Sequence, residues 1–266
     1  MDNKINLLKK IMSINHEKIT FSNVFWETCY IEKALAYTYH ETKNINKNFQ
    51  FPSEIEKYCL GVEYYNKILM YEGKNIEEYF KEFYPFPFAC KGFFLSKFLY
   101  KNEYQREISD VDFICLNKYK NIILKKMISL GFKPIRYNDT YDLTIPFENI
   151  HSILFQKIDI VVIKVDFFFI EENSIVNHLI MDIAHDSNKI NDSLFILYLI
   201  LLSIDMKKEE SHSLKVMKLI DLVNVYRYIN KKELIVKTIA TINQFPDYNL
   251  CLNIINYITW EDFINE

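Results

Sequence analysis

Four glycines and six prolines in 266 residues leave this chain few places to turn sharply. A chain so short of turn formers is committed to long helices, and the few glycines it keeps mark positions of interest. Gly92 and Gly131 both fall in the central third. Before them, from Asn3 to about Phe83, apolar residues recur every three or four positions with a polar break near Asn44 to Pro52, the pattern of packed helices. Pro85 and Pro87 end that region. After Glu171 the helical period returns, over Ile175–His185, Asp192–Asp205, Leu214–Ile229 and Lys232 to the end.

The middle reads differently. Phe86–Cys90 and Val111–Leu116 are expected strands, separated by a helix over Phe93–Tyr100. A helix over Lys118–Leu130 is closed by Gly131 in the C-cap position. Tyr141–Phe147 and Ser152–Phe169 are rich in β-branched and aromatic residues. Lys157 to Asp159 and Lys164 interrupt the second run, so it is expected to hold more than one strand. The order predicts an α+β fold: a small mixed sheet in residues 85–170, flanked by an N-terminal helical region, 1–84, and a C-terminal one, 171–266.

Half of the residues are hydrophobic and a quarter charged, which places the chain among globular proteins. A net charge of -3 argues against a broad nucleic-acid surface, and so against long nucleic acid as a partner. The cysteines, Cys29, Cys59, Cys90, Cys115 and Cys251, are odd in number and scattered, with neither metal-ligand spacing nor a disulfide framework. The N-terminus lacks the apolar core of a signal peptide, and the longest apolar run, Leu194 to Ile204, is too short to span a bilayer. These features lead to the expectation of a cytoplasmic protein with no membrane partner. The six histidines show no metal-ligand spacing.

The chemistry concentrates in two adjoining segments, Cys90-Lys91-Gly92-Phe93-Phe94-Leu95-Ser96 and Arg106-Glu107-Ile108-Ser109-Asp110-Val111-Asp112-Phe113. On a strand, residues i and i+2 point to one face, so Asp110 and Asp112 aim together while Val111 and Phe113 face the other way. Paired carboxylates repel unless a cation or a shared proton relieves them. A hard divalent ion such as Mg²⁺ is the usual partner, and it commonly brings phosphates with it. The alternative is a solvated pair on an edge strand.

These residues resemble the nucleotidyltransferases of the DNA polymerase beta-like superfamily, and within it a large, poorly characterised bacterial family. That family's pattern is apolar-Lys-Gly, a helix, an Arg shortly before an Asp-apolar-Asp-apolar strand, and a helix ending in Gly-aromatic. Here the elements are Lys91-Gly92, Arg106, Asp110-Val111-Asp112-Phe113 and Gly131-Phe132. Val165-Asp166-Phe167 resembles the third-acid strand, and the segment ending Lys218-Leu219-Ile220-Asp221-Leu222 the C-terminal helical portion. The likeness runs from about Phe86 to Ile229. It departs in one place: Phe93 stands where the superfamily commonly has Ser, and Ser96 is the next hydroxyl.

The resemblance implies a sheet of the nucleotidyltransferase type and transfer of a nucleoside monophosphate from an NTP, such as ATP, to an acceptor hydroxyl or phosphate with release of pyrophosphate. Asp110, Asp112 and Asp166 would be the catalytic carboxylates and the ligands of Mg²⁺ (or Mn²⁺), with Asp159 the rival for the third place. Lys91, Gly92, Ser96, Arg106 and Ser109 would bind the nucleotide. The bland reading of Lys91 and Arg106 is a surface salt bridge with Glu107 or Glu103, and that of Lys218 and Asp221, which share a helix face, is a pair with each other. The acceptor stays open among a small molecule, a peptide, a protein side chain and a tRNA end. The same resemblance allows a module that binds nucleotide and has lost the chemistry.

Overall fold

The computed structural model describes residues 2–13, 22–135, 151–208, 214–229, 233–243, 245, 248–258 and 260. Four helices come first: α1 (Asp2–Met12), α2 (Asn23–Ile31), α3 (Leu35–Ile45) and α4 (Ser53–Tyr79). Then β1 (Phe88–Cys90) runs directly into α5 (Lys91–Phe98), followed by β2 (Val111–Leu116), α6 (Lys120–Ser129), β3 (Lys133–Ile135), β4 (Ser152–Ile158) and β5 (Val162–Ile170). Five helices close the chain: α7 (Ile175–His185), α8 (Asp192–Lys208), α9 (Val216–Ile229), α10 (Leu234–Ile242) and α11 (Tyr248–Tyr257). The expected α+β architecture is the one found. The Ser152–Phe169 run divides into β4 and β5 with its turn at 159–161, where Asp159 N–H bonds the carbonyl of Val161. The expected strand over Tyr141–Phe147 lies outside the described residues.

The five strands form one mixed sheet in the order β1-β2-β5-β4-β3, with β2 and β5 parallel and every other pair antiparallel. β2 is therefore interior, and all six of its residues are buried. β5 alternates: Ile163, Val165, Phe167 and Phe169 are buried, while Lys164, Asp166, Phe168 and Ile170 lie half-buried on the other face. Phe113 and Phe167, opposite each other in the parallel register, stack with centroids 5.2 Å apart on the core side. The long helix α4 supports this sheet. Gly73 has no room for a Cβ, because the ring of Phe93 occupies that space, and Phe93 in turn meets Phe113 edge-on at 6.1 Å. One apolar core runs from α1 through the sheet to the last helices. α8 lies at the centre of the C-terminal helices, in contact with α7, α9, α10 and α11. Its apolar run is buried all round, as expected of a helix with no solvent face. No helix among the described residues is long and apolar enough to cross a membrane.

Candidate active site

Residues paired across neighbouring strands share a sheet face. Asp112 of β2 is the register partner of Asp166 of β5, and the stacked Phe113–Phe167 pair occupies the opposite face. Asp110 precedes Asp112 by two residues, where β2 begins. Asp112 thus lies on the expected strand, while Asp110 stands one residue before that strand, and the interior position of β2 removes the edge-strand alternative. Of the two candidates for third acid, Asp166 lies beside Asp112, whereas Asp159 is exposed in the β4–β5 turn.

Lys91 caps this group from the β1–α5 junction. Its Nζ lies 3.3 Å from Oδ1 of Asp112 and 3.3 Å from Oδ1 of Asp205 on α8, and 4.6 Å from the centre of the Phe168 ring. Lys218 of α9 donates to the other oxygen of Asp205 at 2.9 Å. Burial pushes the Asp112 carboxyl up to about 7; Lys91 opposes this, and Asp110, Asp166 and Asp205 add to it. Burial would raise Asp205 too, but Lys91 and Lys218 together hold it below the usual carboxylate range. Burial disfavours the charge on Lys91, yet Asp112 and Asp205 outweigh it and hold its pKa above that of an ordinary lysine. The backbone of Lys91 is left-handed, with φ of +51°. In an L-residue that conformation costs roughly 1–2 kcal/mol.

Gly92 and Arg106 explain each other. A Cβ on Gly92 would collide with Nη1 of Arg106, so the missing side chain makes room for a guanidinium. That guanidinium is engaged with Asp221 of α9: Nε donates to both carboxylate oxygens at 2.9 Å and Nη2 to Oδ2 at 2.7 Å. Nη1 donates to the carbonyl of Glu107 at 2.9 Å. The hydroxyls of Tyr100 and Tyr198 also donate to Asp221. The pair is buried and interior, not the surface bridge to Glu107 or Glu103. Asp221 likewise pairs with Arg106, and Lys218 with Asp205, in place of the expected Lys218–Asp221 contact.

The lead into β2 is held by α4. Asn66, fully buried, donates to the carbonyls of Tyr104 at 2.8 Å and Arg106 at 2.6 Å and accepts the N–H of Ile108 at 3.2 Å. The hydroxyl of Tyr58 donates to Glu107 at 2.7 Å, and that of Tyr65 to the carbonyl of Val162 at 2.9 Å. Ser109 is exposed and donates to Oδ1 of Asp110 at 2.9 Å, so it orients that carboxylate. Ser96 is fully buried within α5, and its Oγ has no hydrogen-bond partner. Phe93, in the place of the superfamily's serine, points into the core.

A cleft of about 330 Å³ opens here, and Lys91, Gly92, Arg106, Ser109, Asp110 and Asp112 line it. Ser96 and Asp166 are not part of the lining; Asp166 stands beside Asp112 on the next strand. The opposite wall holds Lys218 of α9, which the shared helix face of Lys218 and Asp221 had offered as a lining residue, but not Asp221. The rest of it was not foreseen: Tyr198, Leu202 and Asp205 of α8, Lys215 and Met217 where α9 begins, and Lys33 from the α2–α3 turn. Of the unforeseen residues, only Asp205 carried a sequence signal, as the carboxylate that ends an otherwise apolar helical run. A second cavity of about 300 Å³, lined by aromatic side chains of β1 and α5, contains none of the candidate residues.

In kind, three carboxylates on adjacent strands are the donors a hard divalent cation takes. As arranged, no group of three His, Cys, Asp or Glu side chains among the described residues could hold a metal ion. The ammonium of Lys91 supplies the positive charge on Asp112. Comparison of the chain with protein-family models, with curated proteins and with solved structures gives no match. The functional reading rests on the chemistry of the cleft.

Proposed function

We propose that the cleft is a nucleotidyl-transfer site, moving a nucleoside monophosphate from an NTP to a hydroxyl or phosphate of an acceptor with release of pyrophosphate. The observation that carries this is the register of Asp112 opposite Asp166, with Asp110 two residues before, at the edge of a cleft whose far wall is rich in lysine. For Mg²⁺ (or Mn²⁺) to be held by Asp110, Asp112 and Asp166, these side chains would have to draw together and Lys91 leave Asp112; the ion would then supply neutralisation of phosphate charge. Ser109 keeps Asp110 oriented. Lys91 is placed to exchange Asp112 for a phosphate oxygen. Asp166, in register with Asp112, would take the proton of the attacking hydroxyl. Arg106, held by Asp221, acts as the floor of the cleft. None of the five buried cysteines is in a disulfide, which supports a reducing, cytoplasmic setting.

A second reading, a nucleotide-binding module without transfer, is favoured by the Lys91–Asp112 ion pair and by the burial of Phe93. Thermal unfolding with each of the four NTPs, with and without Mg²⁺, tests both. A nucleotide at a hundred times its Kd stabilises by about 2.7 kcal/mol, a rise of roughly 5–10 °C. The expected result is a Mg²⁺-dependent rise with one or more nucleotides, lost in Asp110→Ala. Pyrophosphate release then selects transfer over binding. No shift with any nucleotide would overturn both readings.

A further inference from the structure

Two non-glycine residues of the described structure have a left-handed backbone, Lys33 with φ of +58° and Lys91 with φ of +51°. Both are lysines, and both line the cleft, from segments 58 positions apart in the chain. Lys33 sits at the residue that follows the C-cap of α2. Its N–H bonds the carbonyl of Tyr30 at 3.0 Å, and the next N–H, of Ala34, bonds that of Cys29 at 2.8 Å. This is the Schellman arrangement, whose left-handed position is usually glycine. The chain builds the same arrangement at the end of α6, with Gly131 N–H to Ile128 at 3.0 Å and Phe132 N–H to Met127 at 3.1 Å. There it uses glycine, with φ of +84°. Two identical caps thus hold different residues, and the one facing the cleft carries an ammonium where glycine would be relaxed. Strain of this kind collects at functional sites.

The other cations of the cleft are already matched: Lys91 by Asp112 and Asp205, Lys218 by Asp205, Arg106 by Asp221. Lys33 and Lys215 have no ion pair or side-chain hydrogen bond among the described residues. Their backbones are locked together. The carboxylate of Glu32, beside Lys33, accepts the N–H of Val216 at 3.1 Å, and its carbonyl accepts that of Met217 at 3.3 Å. Lys4 neutralises Glu32 at 3.3 Å and bonds the carbonyl of Leu214 at 2.7 Å. The result is two unmatched lysines on backbone that is held in place, in the wall of the cleft facing Asp110 and Asp112, suited to a polyanion rather than to a single carboxylate.

We infer that Lys33 and Lys215 form the seat for the oligophosphate end of the substrate, so that the N-terminal helical region contributes directly to binding. This rests on reading the cleft as a phosphate-handling site. The test is binding of inorganic tripolyphosphate in the presence of chelator, followed by calorimetry and thermal unfolding, for wild type, Lys33→Gly, Lys215→Gln and Asp110→Ala. Lys33→Gly is expected to raise Tm by roughly 2–4 °C, through relief of the left-handed strain, while weakening tripolyphosphate about tenfold. Lys215→Gln should weaken it similarly with little change in Tm, and Asp110→Ala should keep it. A lysine held only by attraction to the helix C-terminus would leave affinity within twofold in Lys33→Gly, and that result overturns the inference, as does a wild type that does not bind tripolyphosphate. If Mg²⁺-dependent NTP binding survives both lysine substitutions, the phosphate seat is wrong and nucleotidyl transfer stands. If tripolyphosphate responds to the lysines but no NTP binds, the seat stands and the transfer reading is wrong.

Discussion

Asp112 holds the most unfavourable position in the cleft: a buried carboxylate with three others near it and one ammonium in contact. A carboxyl whose pKa is about 7 in the fold and near 4 in the unfolded chain favours folding when protonated. Its contribution is complete below pH 4 and is lost as pH rises toward 7. Metal-free protein should therefore lose thermal stability across that window, and Asp112→Asn should flatten the slope. Parallel pH profiles of Tm for the two proteins would measure this; identical slopes would show that Asp112 titrates normally. The Asp-x-Asp motif was legible at the entry to a strand, and both its carboxylates line the cleft, although only Asp112 lies on β2 itself. The role of Gly92 was not, since the reason for the missing Cβ is the guanidinium of Arg106, fourteen positions later.

Among the elements, α4 does the most to place the site. Asn66 satisfies three backbone groups of the segment that enters β2, and all of them would be stranded without it. Each buried unsatisfied group costs about 1–3 kcal/mol. Asn66→Ala should cost about 3 kcal/mol or more in urea unfolding and should weaken nucleotide binding with it. Stability lost without any change in binding would mean that α4 supports the core and not the site. The helical period identified α4 as a helix, but a lone polar residue on a helix reads the same whether it faces solvent or a loop 40 residues away.

At the scale of the whole molecule, the first helices are part of the same body as the sheet. Lys4 and Glu32 bond the start of α9, Asn66 bonds the lead into β2, and one apolar core joins them. Unfolding should therefore be a single cooperative transition in calorimetry, with equal calorimetric and van't Hoff enthalpies. Two resolved transitions would show that the N-terminal helices form an independent unit. The same continuity gives the cleft its second wall, because Lys33, Lys215 and the α8 residues reach it only through the packing of helices distant in sequence.

Local rules thus determined the helices, the β2 and β5 strands, the Gly131 cap and the place of Asp112 on β2, since each depends on side-chain period or on one residue's backbone preference. Tertiary packing decided the rest. It set Asp166 rather than Asp159 beside Asp112 through strand register, turned Arg106 inward to Asp221, gave Lys91 to Asp112 and Asp205, and brought Lys33 to the cleft. Which partner a charged side chain finds depends on which elements pack together, and charge patterns along the chain carry little of that information.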